Sequence, residues 1–447
     1  MALLQNNPQP GSFAVLRFDK YFRRMSAVAI RQDQPSPPEI QLFGVGMAFF
    51  HQTTVLPTFV SKLTDSTALV GLVATIQSGA WLLPQLFAAS YLAGRSRKRL
   101  FMVIPAFVGR PVYGLLALLV LVIGPSQPIV LLVALYVAMA IFGVTDALCS
   151  VPWYDIQGKA IPPDRRGRVF GIAQIASGLL GVALGGVVGY ILALPGLPFP
   201  SNYALLFAIG TVAFMLGAGA LSMIREPIVA SHDERTPFRD FFRAIMPTLR
   251  SDQRLVRIVA TRLLLGLGMM IYPFYVVYAD RELGLGSEHV GLFLSAQVVG
   301  NVIGGVLFGQ IADRWGTRAG ARAAVVTAST APALALLAGA AGPALGQAQL
   351  YVIAAAFTAV GMTFSSYLIC FMNHVLEISP KNDRSTYAGL FNTINGSLLF
   401  VPALAGWVLQ VTSFATVFAI ALAALAAAGV ASLGLAEPRR QPADSAP

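Results

Sequence analysis

The sequence predicts an all-α membrane protein, twelve transmembrane helices in two pseudo-symmetric six-helix bundles. Three observations carry this. Of 447 residues, 56% are hydrophobic and only 11% charged, against about a quarter charged in an ordinary soluble domain. Twelve continuous apolar runs each approach or exceed the ~20 residues that a helix needs to cross a bilayer. Short motifs recur in the same order about 220 residues apart, as a duplicated unit requires.

The runs fall at 41–60, 70–93, 101–123, 129–152, 168–191, 202–223, 258–279, 290–312, 323–342, 349–375, 386–409 and 413–436. Because they are continuous, they exclude an outer-membrane barrel, whose strands alternate in short segments. They divide the chain into an N-terminal segment (1–38), a first bundle (39–224), a polar linker (225–253), a second bundle (254–437) and a tail (438–447). Segment 1–38 lacks the apolar core and small-residue cleavage site of a secretory signal. In it Phe18, Tyr21, Phe22 and Met25 share a face opposite Arg17, Lys20, Arg23 and Arg24. It therefore reads either as a helix lying on an anionic leaflet or as a solvated basic arm.

The net charge of +11 has an ordered distribution. Of the 31 Lys and Arg, all but Lys62, Arg281, Arg110 and Arg262 fall in segments on the side of the N-terminus. Positive residues mark the cytoplasmic side, so both termini are expected there, in a cell membrane. The charge then serves the lipid bilayer and topology; no nucleic-acid motif accompanies it. Arg262, at the inner mouth of span seven, is expected to snorkel to the interface. Cys149 and Cys370 lie in apolar runs and offer neither a disulfide framework nor a metal site.

The repeat pairs Val70-Gly71-Leu72 and Gln77 with Val290-Gly291-Leu292 and Gln297. It pairs Leu135-Tyr136-Val137 and Phe142 with Leu350-Tyr351-Val352 and Phe357, and Gly44, Gly46 and Met47 with Gly266, Gly268 and Met269. Parallel repeats of this kind can rock about a shared site near the midplane.

Buried polar residues are the candidate site, because they are costly in a bilayer. Asp146 lies ~25 Å into span four and Arg110 ~15 Å into span three from the opposite side, at similar depth. Two readings stay open, a structural Asp146–Arg110 ion pair and a titrating Asp146 that couples proton movement to transport. His51, beside Gln52 in span one, either carries a proton or hydrogen-bonds a neighbouring helix. Gln52, Gln77, Gln297, Asn301, Asn392 and Asn395 are expected at a cavity, although interhelical hydrogen bonds explain such groups equally well. Tyr272 and Tyr275, with Trp153 and Tyr154 at the inner end of span four, are expected to form an aromatic wall, although interfacial anchoring explains Trp153 and Tyr154 at least as well.

The loop after span eight reads Gly309-Gln-Ile-Ala-Asp313-Arg314-Trp-Gly316-Thr-Arg318. This G-x-x-x-D-R-x-G-x-R pattern, at the cytoplasmic end of the second helix of a repeat, resembles the signature loop of the major facilitator superfamily (MFS). The resemblance covers residues 41–437 and implies the MFS fold, with spans one, four, seven and ten lining a central cavity and spans five and eight in contact. It further implies that Gly309, Asp313, Arg314, Gly316 and Arg318 form a cytoplasmic gate, with Glu377 and Arg384 completing it. The first-half copy is degraded, Gly94 standing where Asp is expected, so Asp155 or Asp164 is expected to pair with Arg95, Arg165 or Arg168. Otherwise the loop serves topology alone. Glycines at four-residue spacing, Gly181, Gly185 and Gly189 on span five and Gly300, Gly304, Gly305 and Gly309 on span eight, are expected to form the sliding surface between bundles.

No G-x-x-x-x-G-K-[ST], H-E-x-x-H or G-x-S-x-G string occurs, which argues against ATP-driven or hydrolytic chemistry on this chain. The reading is a non-enzymatic secondary active transporter, without cofactor or metal. It moves a small neutral or amphipathic solute by alternating access as a monomer, with proton-coupled efflux the preferred form. The alternatives are a metabolite uptake carrier and a non-transporting assembly factor or receptor on the same scaffold.

Overall fold

A proline inside an apolar run removes a backbone donor and crowds the carbonyl four residues back, and several spans break where one falls. The computed structural model describes residues 37–92, 97–160, 163–224, 226, 246–380 and 383–438. Span one consists of two helices, Pro37–Phe49 and Val55–Leu63, parted at His51–Thr54 just before Pro57. Span seven repeats this break: Gln253–Gly268, a tight turn over Met269–Ile271, then Phe274–Arg281 beyond Pro273. Span three pauses at Arg110 and Pro111, between Arg99–Gly109 and Val112–Ile123. The remaining spans are Thr67–Leu92, Pro128–Ala160, Pro163–Ala193, Ser201–Ser222, Val290–Trp315, Thr317–Ala341, Ala348–Ile378, Thr386–Val411 and Phe414–Leu433.

Among the described residues there is no strand, and eleven helices are long and apolar enough to cross a membrane. The twelfth expected span, 41–60, does not meet that length because of its break; its first part, Glu39–Phe49, is a shorter apolar helix. Large apolar side chains face outward around the helices, Val122 being 85% and Ile129 74% exposed, as lipid contact requires.

The apolar core divides along the helix axes. At the end remote from Pro37 and Leu433, here called the distal end, one buried cluster joins both halves of the chain, from Val55, Phe59, Tyr203 and Phe207 to Tyr275, Phe293, Phe357 and Phe418. At the terminal end the halves have separate clusters, Met102, Cys149 and Leu221 in one and Leu255, Phe308, Phe371 and Leu425 in the other. Hydrogen bonds reinforce the distal junction. Arg281 donates to the carbonyls of Ser61 (2.9 Å), Thr64 (2.8 Å) and Asp65 (3.2 Å). Thr67 donates to Gly406 O (2.6 Å), and Ser66 to Gln410 (3.1 Å).

Spans five and eight pack together as the resemblance implies, but the glycine ridges mesh otherwise than expected. Gly181, Gly185 and Gly189 of span five meet Val298, Ser295 and Gly291 of span eight, and Ser295 donates to Val182 O at 2.9 Å. Gly300 and Gly304 instead receive the backbone of Thr358 and Met362 on span ten, while Gly305 and Gly309 face open space. The glycine ridge of span eight thus belongs to packing within the second half.

Candidate cavity and terminal edges

Between the two terminal-end cores lies a cavity of about 780 Å³. Span one lines it with Glu39, Phe43, Met47 and Gln52, and span two with Gln77 and Trp81 at helical i, i+4 spacing. Spans three and four add Arg110, Tyr113, Asp146 and Trp153; spans seven and ten add Arg262, Phe364 and Tyr367. Tyr367 opens a wide helical turn, Tyr367–Met372 with π geometry, a local widening frequent at functional sites.

The wall from the first half holds its charges in one group. Arg110, 3% exposed, donates to Phe214 O at 3.1 Å, lies over the Phe43 ring at 5.4 Å and reaches Glu39 at 3.9 Å. Glu39 also accepts from the Trp153 indole at 3.1 Å. Of the two open readings, the Asp146–Arg110 ion pair is corrected: among the described residues the carboxylate within 4.0 Å of Arg110 is that of Glu39. Asp146 stays within electrostatic range of Arg110 and beside the Trp81 indole. Glu39 lies two residues before the expected start of span one, so its depth was not legible from hydropathy.

Of the expected cavity residues, Gln52 and Gln77 line the space, as do Arg110 and Asp146. The others lie elsewhere. His51 sits at the break of span one with its Nδ1 3.1 Å from Thr53 Oγ1 and 3.2 Å from Thr54 Oγ1. Gln297 is buried and accepts from Thr53 at 2.7 Å, tying span eight to span one. Asn301 falls where span eight approaches Gly361 of span ten. Asn392 accepts from Tyr367, and Asn395 donates to Phe391 O at 2.7 Å. Tyr272 and Tyr275 turn into the second bundle, against Phe364 and Phe418, rather than forming a cavity wall. Arg262 does not snorkel. Its guanidinium lies over the rings of Tyr367 (5.4 Å) and Phe371 (5.8 Å) and borders the cavity.

At the terminal edge of the second half, Gly316 (φ +88°) ends Val290–Trp315 and starts Thr317–Ala341. Asp313 and Arg314 lie exposed in the turn before it, Arg318 half-buried in the turn after it, and Arg384 exposed at the start of Arg384–Asn395. Thr317 draws the edge together, donating to Glu377 at 2.7 Å with its Oγ1 3.0 Å from His374 Nδ1. In the first half Arg95 and the side chains of Asp164, Arg165 and Arg168 lie outside the described residues. Asp155 pairs with Lys98, at 3.2 Å.

Two acids missed in the sequence sit at helix starts here. Glu226 accepts from the backbone N–H of Lys98 (2.7 and 2.9 Å) and of Arg99 (2.9 Å). The Glu437 carboxylate occupies the space a Cβ on Gly316 would need. Both begin a Glu-Pro pair just after the sixth helix of a half, Glu226-Pro227 and Glu437-Pro438, a repeat that was readable.

The sequence model described as Major Facilitator Superfamily matches residues 40–397 and 258–447. No curated protein matches the sequence. Among solved structures, the nucleoside transporter NupG (D323A mutant) aligns with TM-score 0.68 at 14% identity, covering 89% of this chain and 98% of that one. A bacterial homologue of the iron transporter ferroportin, in an inward-facing state, gives 0.69 at 14% identity over the same shares. A D-xylose–proton symporter gives 0.66 at 14% identity, over 90% of this chain and 98% of that one. At these identities the likeness concerns the fold.

Proposed function

Since the chain belongs to the major facilitator superfamily, we propose that it is a secondary active transporter whose solute site is the cavity between the terminal-end cores. The observation that carries this is the divided core. The halves share one apolar cluster and the Arg281 hydrogen bonds at the distal end, and part around the cavity at the terminal end. Rocking the halves about spans five and eight closes one end as it opens the other, which is alternating access. The distribution of Lys and Arg supports cytoplasmic termini, so the cavity faces the cytoplasm in this state. Gly309, Asp313, Arg314, Gly316, Arg318, Glu377 and Arg384 then belong to the cytoplasmic gate, and Lys98–Asp155 to its first-half counterpart. The aromatic and apolar lining fits an amphipathic solute, carried by a monomer.

Proton movement is its drive, through Asp146. This carboxylate borders the cavity while Glu39 takes the contact with Arg110, leaving Asp146 available to exchange a proton. The test is flux of a labelled solute panel in proteoliposomes. A saturable flux driven uphill by an imposed pH gradient is expected for the wild type. Asp146→Asn is expected to lose the uphill component by at least ~10-fold while keeping downhill exchange. Absence of flux for every solute, with folded protein, would return the chain to the assembly-factor or receptor reading. Uphill flux surviving in Asp146→Asn would remove Asp146 from coupling.

A further inference from the structure

The two arginines that border the cavity differ in one respect. Arg110 has a carboxylate, a carbonyl and a ring around it. Arg262 has two rings and the Met269 sulfur at 3.7 Å, but no carboxylate within 4.0 Å among the described residues, and its Nε is buried without an acceptor. Gly266, one helical turn on, lies against Leu398, whose side chain a Cβ there would overlap, with the guanidinium of Arg262 next nearest at 3.3 Å. Cation–π contact recovers ~0.5–2 kcal/mol, whereas a charged side chain within a bilayer costs ~2.5–3.5 kcal/mol even on insertion scales. Rings do not satisfy the planar, bidentate donor face of a guanidinium; carboxylates and phosphates do.

We infer that Arg262 receives the acidic head of an amphipathic organic anion, whose apolar body lies along Phe364, Tyr367 and Trp81. This deepens the transporter reading and rests on the same cavity. It replaces a neutral solute with an anionic one. The head is supplied either by a free aromatic carboxylate or by an anionic lysolipid. Both present the same chemistry, an anion on an apolar body.

The test compares 1-naphthoate with its neutral isostere 1-naphthamide, and lysophosphatidylglycerol with zwitterionic lysophosphatidylcholine, by thermal unfolding of the purified full chain. A ligand of the native state raises apparent stability with its concentration. At least one anion is expected to bind ~10-fold more tightly than its uncharged or zwitterionic partner, a difference of about 1.4 kcal/mol. Arg262→Gln is expected to abolish that preference and leave binding of the partner unchanged. The anion that responds identifies the source of the head. If Arg262→Gln does not fold, the wild-type acid-over-amide preference still decides, and its weakening in Arg262→Lys, which keeps the charge and loses the fork, localises it. Equal binding within both pairs, a preference that survives in Arg262→Gln, or silence toward both anions would overturn the inference. Arg262-dependent binding of an anion that is never carried into vesicles would sink the transporter reading and spare this one. Carriage of a neutral solute, with no anion binding that depends on Arg262, would do the reverse.

Discussion

At the terminal edge of the first half, Lys98 reaches across to Asp155 at 3.2 Å, and Glu226 clamps the backbone N–H groups that open helix Arg99–Gly109. At the matching edge of the second half, the turn between spans eight and nine is made by Gly316 at φ +88°, with the Glu437 carboxylate lying against it. An acid returning from the sixth helix of each half thus meets the start of the third, where the helix dipole favours negative charge. The two acids are held differently. Glu226 accepts three hydrogen bonds, whereas neither oxygen of Glu437 has a donor among the described residues. A duplicated scaffold has preserved the position of the carboxylate while the backbone beneath it diverged. In one half the third helix starts on capping bonds from an acid, in the other on the backbone conformation of a glycine, with the Thr317 side-chain bonds just beyond it.

Breaking the backbone device should have the largest effect. With φ +88° and ψ 166°, Gly316 occupies a region that residues with a Cβ adopt at a cost of ~1–3 kcal/mol, and the added methyl meets Glu437. Gly316→Ala is expected to lower the apparent Tm clearly in detergent, and a second change, Glu437→Ala, to recover only the steric part. Full recovery would mean that crowding, not φ, governs the turn.

Next in size is the contrast between the acids. Glu226→Ala removes charge-assisted bonds to helix-start donors and should cost about 1.5–3 kcal/mol. Glu437→Ala should stay within ~1 kcal/mol, the scale of a carboxylate–dipole interaction alone. Unfolding curves that show equal losses would mean the two edges are equivalent after all.

Hydropathy and the repeat made the helical class and the span positions legible, because a bilayer demands continuous apolar runs whatever the local sequence; the contact of spans five and eight came only from the family resemblance. The cavity was legible in part. Gln52, Gln77, Arg110 and Asp146 were found by polarity at depth. Tyr272 and Tyr275 lie past the tight turn Met269–Ile271, which interrupts the helical periodicity used to place them, and they pack on Phe364 and Phe418. Glu39 escaped because a helix that continues past its apolar run carries charged residues into the structure unseen. Arg262 was read as an interfacial residue on depth alone. Depth does not reveal that Tyr367 and Phe371, about a hundred residues later, fold beneath it.

A smaller effect sharpens the comparison from the linker side of the second half. Asp252 caps helix Gln253–Gly268, accepting from the N–H of Arg254 (2.9 Å) and Leu255 (3.4 Å), and it takes a further bond from Tyr387 of span eleven at 3.1 Å. Burial opposes its ionisation, but the side-chain and backbone bonds from Arg254, that residue's charge and the Tyr387 hydroxyl outweigh it, holding the carboxyl below its ordinary 3.8. A carboxyl with a lowered folded-state value contributes stability that is complete above the ordinary value and lost as pH falls through the lowered one. Asp252→Ala should therefore cost ~0.5–2 kcal/mol at neutral pH, the range for a lost N-cap. The gap to the wild type should narrow progressively below about pH 4. A gap that stays constant between pH 7 and pH 3 would show that the side chain stabilises by shape alone. The charge at this edge would then matter as little as that of Glu437, in contrast to the first-half edge, where Glu226 caps a helix start and Lys98 pairs with Asp155.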